Sequence, residues 1–119
     1  MVRSGKADQD NGLLASFDGP GRAIRFAAHL QGDLRNLGIR IRTGIHTGEI
    51  EQRDSDVGGI AVHICARIMG SADADEILVS RTLKDLTIGS SLDFRPKGAF
   101  TLKGVGGEWE LYAVDVDPR

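Results

Sequence analysis

The sequence has little cysteine and no long apolar segment, and each shortage excludes a class of protein. Its single cysteine, Cys65, cannot form an internal disulfide. No apolar run approaches the roughly 20 residues that a helix needs to span a bilayer. The first eleven residues are too polar to contain the apolar core of a signal peptide. We therefore expect a chain without a membrane segment, located in the reducing cytoplasm.

The chain also carries little net charge of either sign. The formal net charge is −2 and the sequence pI is about 5.9, although arginines make the segment from Arg22 to Arg42 locally basic. Such a weak overall field gives no electrostatic case for binding to nucleic acid or to a membrane surface. We predict neither partner for this chain.

The length of 119 residues corresponds to one domain, which can bury roughly two-thirds of its unfolded surface in a single core. The stretch 1–11 has only two sizeable apolar residues, Met1 and Val2, and four charged residues. Because such a segment has little apolar surface to bury, we predict that 1–11 is disordered and that the domain occupies 12–119.

The first half of this domain reads as a strand followed by a helix. Gly12–Phe17 is a short apolar run that ends at a turn, and Pro20 suits the first position of a helix with Gly19 as its cap. Gly38 is the expected helix stop. One apolar stripe is predicted to face the core: Ala23, Ala27, Leu30, Leu34 and Leu37.

The centre of the chain changes from the period of a strand to the period of a helix. Apolar or β-branched residues alternate over Ile39–Ile45, as in a half-buried strand. After Gly58 the period becomes helical, and a second apolar stripe is predicted to pack: Ala61, Ile64, Cys65 and Ile68. His63 and Arg67 are four residues apart and share a different helix face. Cys65 is interpreted as a small buried hydrophobe.

The remaining segments predict a short strand, a helix with a serine cap and three further strands, in this order: Glu76–Val79, Ser80–Leu86, Leu92–Phe94, Phe100–Leu102 and Trp109–Val114. Turn residues separate the last three strands. The alternation of strands and helices indicates an α/β (α+β) domain with helices packed on a sheet.

Four ordered segments of this chain resemble the catalytic domain of class III nucleotidyl cyclases, the adenylate and guanylate cyclase family. They are RTGIHTGE (Arg42–Glu49), DVGGIAVHICAR (Asp56–Arg67), EILVSRT (Glu76–Thr82) and LKGV (Leu102–Val105). The resemblance implies a ferredoxin-like cyclase fold that here lacks its first strand. It also implies conversion of ATP to cyclic AMP and pyrophosphate, at a site shared between two domains of a dimer.

The resemblance further implies two aspartates that hold Mg or Mn, one on the missing strand and one in a G-D-G turn. Asn11 stands at the second aspartate position. An amide is a weaker ligand for a hard cation than a carboxylate. Asp10 would take this aspartate position if the alignment with the family motif were shifted by one residue. We therefore expect metal binding to be compromised.

The substrate residues implied by the resemblance are better retained. Asp56 matches the residue that reads adenine, although the lysine that accompanies it is not in register. Arg67 matches the arginine that stabilises charge at the α-phosphate, because guanidinium is permanently ionised. His63 replaces the asparagine that orients the ribose, Lys103 matches a triphosphate-contacting lysine, and Arg42 matches a strand arginine near the phosphates.

Each of these residues also has a plain structural interpretation. Asp56 lies in a segment typical of a turn, His63 and Arg67 suit a solvated helix face, and Lys103 suits an exposed turn. We expect a truncated adenylate cyclase-family domain with weak or no activity alone, as a homodimer or a heterodimer with another cyclase domain. The alternatives are a non-catalytic pseudo-cyclase that serves as a dimerisation or half-site partner, and an unrelated α/β binding module.

Overall fold

A computed structural model of the chain describes residues 2–6, 12–15, 19–47, 51–53, 56–58, 60–87 and 91–115. The strands within these residues are β1 (Val2–Lys6), β2 (Gly12–Ala15), β3 (Ile41–Ile45), β4 (Glu51–Arg53), β5 (Asp56–Gly58), β6 (Glu76–Ser80), β7 (Asp93–Phe100) and β8 (Trp109–Asp115). The helices are α1 (Pro20–Asn36), α2 (Ile60–Gly70) and α3 (Arg81–Leu86). Six strands form a sheet in the order β2-β1-β3-β6-β8-β7, and β4 pairs with β5 separately.

Helices cover both faces of the six-stranded sheet. On one face, α1 and α3 pack on alternate residues of β3 and β6, in a cluster that includes Ile24, Ile45 and Leu83. On the other face, α2 packs on Leu78 in a cluster with Ile64 and Ile68. The neighbours Ile77 and Leu78 belong to different clusters, as expected for a strand buried on both faces. The predicted mixed fold of a sheet with packed helices is confirmed.

The buried stripe of α2 is the one that the helical period predicted. Ala61, Ile64, Cys65 and Ile68 are all at most 5% exposed. Cys65 is fully buried, and its thiol donates to the Gly44 carbonyl over 2.9 Å. The interpretation of Cys65 as a small core residue is confirmed.

The buried face of α1 differs from the prediction. The helix begins with Pro20, and Gly38 follows it with a φ of 78°. The amides of Gly38 and Ile39 donate to the carbonyls of Arg35 and Leu34, which is a Schellman stop. Leu37, however, is 73% exposed, whereas Gln31 is buried.

A tertiary hydrogen bond accounts for the burial of Gln31. Its side-chain amide donates to the Asp75 carbonyl over 2.6 Å. A polar side chain with a satisfied hydrogen-bond partner can be buried at low cost. The buried face of α1 therefore includes Gln31 and differs from the predicted apolar stripe.

The N-terminal residues also differ from the prediction of a disordered segment. Val2–Lys6 forms β1, which pairs antiparallel with β2 on one side and with β3 on the other. The Ser4 hydroxyl is buried and lies 2.9 Å from the Thr43 hydroxyl. Backbone hydrogen bonds to two neighbours order this strand despite its few apolar residues. A cyclase fold without its first strand would leave an unpaired strand edge inside the sheet. In this chain β1 lies between β2 and β3 and pairs with both, so these strands leave no such edge.

The strands after α3 are fewer and longer than predicted. The segment Pro96-Lys97-Gly98 was predicted to separate two strands, but β7 continues through it as Asp93–Phe100. Its pairing with β8 shifts register between Pro96 and Gly98. Gly98 has a φ of 133°. The segment Pro96-Lys97-Gly98 therefore forms a bulge at the sheet edge instead of a turn.

Candidate functional site

The candidate site is built on the exposed side of α2. The opposite side of this helix packs so closely on β3 that a Cβ at Gly44 would lie 2.3 Å from the Met69 amide nitrogen. Only glycine permits this approach of helix backbone to strand backbone. The contact holds α2 rigidly on the sheet, and the side chains of His63 and Arg67 project from the remaining surface. His63 is partly exposed and Arg67 is exposed.

A turn from the far end of the chain docks on His63. The Val105 amide donates to the Leu102 carbonyl over 3.0 Å, and Gly104 has a φ of 79°. Glycine at the third position with positive φ indicates a type II turn. Leu102 anchors the turn in the core, and the carbonyl of Lys103 lies 3.2 Å from His63 Nε2. Sequence reasoning did not predict this contact.

Two cations, Arg67 and Lys103, are connected to this surface through His63. Residues four apart on a helix have Cβ atoms about 5–6 Å apart, so Arg67 lies one turn along α2 from His63, whose ring contacts the backbone of Lys103. Both cationic side chains are exposed, and neither has a carboxylate partner among the residues that the structure describes. Exposed cations without a counter-charge suit an anionic ligand.

Arg42 occupies a different part of the domain. It lies on β3 in register with Glu76 of β6, whereas His63 lies in the first turn of α2. Glu76 binds Lys97 at 2.9 Å, and together with Asp73 it raises the pKa of Lys97, with the Asp73 hydrogen bond as the larger cause. Arg42 Nε is buried without a hydrogen-bond partner in the described part of the chain. No described contact joins Arg42 to His63 or Lys103.

The remaining predicted residues are only partly described. Asp56 begins β5, opposite Arg53 in the β4–β5 hairpin, and its backbone position precedes α2 directly. Asp10 and Asn11, the candidate metal positions, lie outside the described residues. The roles of Asp56, Asp10 and Asn11 stay predictions.

The described residues do not fit a two-metal site. Within the ranges given above, no group of three or more histidine, cysteine, aspartate or glutamate side chains is placed to hold a metal ion. The interior strand β1 reads VRSGK and contains no carboxylate. We therefore derive no step that depends on a bound metal.

A second histidine lies in a buried polar cluster that sequence reasoning also missed. His46 Nδ1 lies 2.7 Å from the Ser80 hydroxyl, and the His46 ring meets Trp109 edge-on at 5.5 Å. Ser80 also accepts from the Leu83 amide, as the predicted cap of α3. Burial lowers the pKa of His46 to about 4, which keeps the ring neutral.

Comparison with known proteins assigns the chain to a family. No family model matches. A protein of Rhizobium meliloti (strain 1021) named "Putative adenylate cyclase 3" is 30% identical over 104 residues, which cover 80% of this chain and 18% of that protein. The chain belongs to the class III nucleotidyl cyclase family.

Solved structures agree with the cyclase fold. An adenylate/guanylate cyclase/hydrolase from Silicibacter pomeroyi superposes with a TM-score of 0.76 at 24% identity, over 93% of this chain and 72% of that one. The adenylyl cyclase CyaB from P. aeruginosa superposes with a TM-score of 0.70 at 22% identity, over 81% and 58%. At these identities the likeness shows the fold, and it confirms the predicted cyclase architecture.

A third cyclase structure, the catalytic core of a rhodopsin-guanylyl cyclase with converted specificity, was solved in complex with ATPalphaS. It superposes with a TM-score of 0.74 at 22% identity, over 86% of this chain and 61% of that one. In the described part of this cyclase-family chain, no helix is both long enough and apolar enough to cross a membrane.

Proposed function

We propose that this cyclase-family domain binds ATP through Arg67 and Lys103 and contributes this half of a catalytic site shared with a second cyclase domain. The observation that supports the proposal is the contact of the Lys103 carbonyl with His63, a residue that shares its helix face with Arg67. Arginine and lysine together suit a triphosphate, since the guanidinium fork can donate two hydrogen bonds to phosphate oxygens.

The isolated chain is proposed to have only trace activity. A cyclase must hold divalent metal against the triphosphate, and β1, which fills the sheet interior, has no carboxylate. Purified protein with magnesium or manganese should therefore convert ATP to cyclic AMP at trace rates at most. Asn11→Asp should not restore turnover, because one carboxylate does not complete a two-metal site. Robust turnover by the unmodified chain would refute this argument.

Complementation tests the shared site directly. The chain is mixed with a full cyclase domain that keeps its metal aspartates but has alanine at its own position equivalent to Arg67. Cyclic AMP synthesis is then measured, with heterodimer formation verified by sedimentation. We expect turnover from the mixture and little from either component alone.

Two variants of this chain test whether Arg67 is responsible for the activity of the mixture. Arg67→Ala should lower the rescued rate by about 100-fold or more, because an arginine that meets transition-state charge contributes several kcal/mol. Arg22→Ala removes an equally exposed arginine from α1 and should leave the rate unchanged. If a demonstrated heterodimer stays inactive, the half-site proposal is wrong, and a dimerisation role without nucleotide binding takes its place.

Base preference is assigned to Asp56, which begins β5 just before α2. A carboxylate can accept a hydrogen bond from the amino group of adenine. Asp56→Ala should reduce the preference of the complemented enzyme for ATP over GTP, with a smaller loss of rate than Arg67→Ala.

A further inference from the structure

We infer that His63 is a positioning residue that holds the Lys103–Gly104 turn against α2 and thereby places Lys103 beside Arg67 for a triphosphate. This inference rests on the proposed function and gives His63 a different role from the ribose contact implied by the family resemblance. His63 acts on the ligand through Lys103 and does not itself touch the ribose.

The first step of the argument is the tautomer of His63. Its Nε2 atom lies 3.2 Å from the Lys103 carbonyl oxygen. A carbonyl oxygen only accepts, so Nε2 carries the proton in this contact. A neutral imidazole has a single N–H donor. That donor is already committed to the turn, and Nδ1 is left as an acceptor, whereas an asparagine side chain would keep donors for a ligand.

The second step is the fit of the turn to the ring. A Cβ at Gly104 would lie 2.9 Å from His63 Nε2, so any other residue here would force the imidazole or the turn to shift. The two segments are 40 positions apart in sequence. Leu102, immediately before the turn, is 3% exposed and shares a cluster with Ile64 of α2. One apolar anchor and one hydrogen bond thus fix the backbone that carries Lys103.

The third step concerns what the docking achieves. The Lys103 side chain is long and exposed, and a flexible cation loses rotamer entropy when it binds a phosphate. A fixed backbone limits the positions that the ammonium group of Lys103 can reach. Arg67 lies one helical turn beyond His63. In the proposed arrangement, the docked turn brings the Lys103 side chain within reach of the same phosphate chain as Arg67.

The experiment compares two ligands, ATP and inorganic tripolyphosphate, which lacks ribose and base. We expect His63→Ala to weaken both by the same factor, roughly 3- to 10-fold, the loss typical of one hydrogen bond. His63→Gln, which keeps a side-chain N–H donor, should restore most of the affinity. If His63→Ala weakens ATP but not tripolyphosphate, His63 contacts the nucleoside and the inference is wrong.

A Lys103→Gln background provides the second criterion. If His63 acts through Lys103, His63→Ala has no further effect on affinity once Lys103 is neutralised. Additive losses in the double variant would show an independent action of His63 and overturn the inference.

Substitutions at two glycines distinguish the loss of the contact with His63 from backbone strain. Gly104 and Gly107 have almost the same φ, 79° and 84°, but a Cβ at Gly107 meets nothing within 4 Å. Gly104→Ala should therefore weaken tripolyphosphate binding about as much as His63→Ala, while Gly107→Ala stays within about twofold of the wild type. Equal losses for the two glycine variants would contradict docking on His63.

The tautomer is measured without any ligand. In ¹⁵N-resolved spectra at a pH where imidazole is neutral, His63 should show the Nε2–H form in the wild type and lose this preference in Gly104→Ala. An Nδ1–H form would overturn the docking. If the wild-type chain binds neither anion, the proposed function and the ligand-directed part of this inference both fail, and the spectra decide the docking separately.

Discussion

Two histidines of this domain lie near the same apolar cluster but in opposite surroundings. His46 is 6% exposed, bonds the Ser80 hydroxyl at 2.7 Å and packs against Trp109. His63 is partly exposed, bonds the backbone carbonyl of Lys103 and shares its helix face with Arg67. The first ring is enclosed by structural neighbours, whereas the second lies between the Lys103–Gly104 turn and solvent.

The difference teaches how a structural histidine can be distinguished from one at a ligand surface. Burial lowers the pKa of His46, and its polar partners are part of the fold, since Ser80 also caps α3. His63 joins two elements without being enclosed by them. We therefore expect changes at His46 to act on the free energy of unfolding and changes at His63 to act on ligand affinity.

The largest expected effect comes from Gly44→Ala, which breaks the close contact between β3 and α2, the helix that carries His63. The new Cβ would lie 2.3 Å from the Met69 nitrogen and 2.6 Å from the Cys65 carbonyl oxygen. Both are backbone atoms, so α2 must move away from β3. Overpacking of this severity should lower the free energy of unfolding by about 3 kcal/mol or more, measured by urea denaturation.

Gly32→Ala is the matched control for Gly44→Ala. Gly32 lies inside α1, and a Cβ there meets nothing within 4 Å. The same chemical change should stabilise the protein by about 0.5–1 kcal/mol, because alanine is the better helix former. Destabilisation by both variants would show that the close contact at Gly44 is not the cause.

The next effect is the contribution of His46 to the dependence of stability on pH. Its pKa of about 4 in the folded chain lies below the ordinary value of 6.5, so the unfolded chain binds a proton that the folded chain excludes. The contribution of His46 to stability is fully present above pH 6.5 and is lost as the pH falls toward 4. The loss should reach roughly 3 kcal/mol.

Denaturation curves between pH 7 and pH 4 measure this dependence. His46→Gln should flatten the part of the curve that His46 contributes. An unchanged slope in His46→Gln would mean that the buried ring does not resist protonation.

The smallest expected effect is on stability at His63. His63→Ala should lower the free energy of unfolding by less than about 1 kcal/mol, because only one partly exposed hydrogen bond is lost. His46→Ala should lower it by about 2 kcal/mol or more, since it leaves a cavity and removes one of the two hydrogen-bond partners of the buried Ser80 hydroxyl. Similar losses at the two positions would remove the distinction between them.

Local sequence determined the elements that depend on local physics. The period of apolar residues identified α2 and its buried stripe, because side chains four apart on a helix share one face whatever lies nearby. The same geometry placed His63 and Arg67 together on the opposite face. Pro20 and Gly38 marked the ends of α1 because their backbone preferences act at single residues.

Contacts between distant segments were decided only by the tertiary structure. The order of β1 depends on its pairing with both β2 and β3, and the burial of Gln31 depends on the Asp75 carbonyl. Composition and periodicity cannot report hydrogen bonds formed 39 or 44 positions away. For the same reason Lys103 could be predicted as a candidate residue, but the contact of its carbonyl with His63 could not, because the two residues are 40 positions apart.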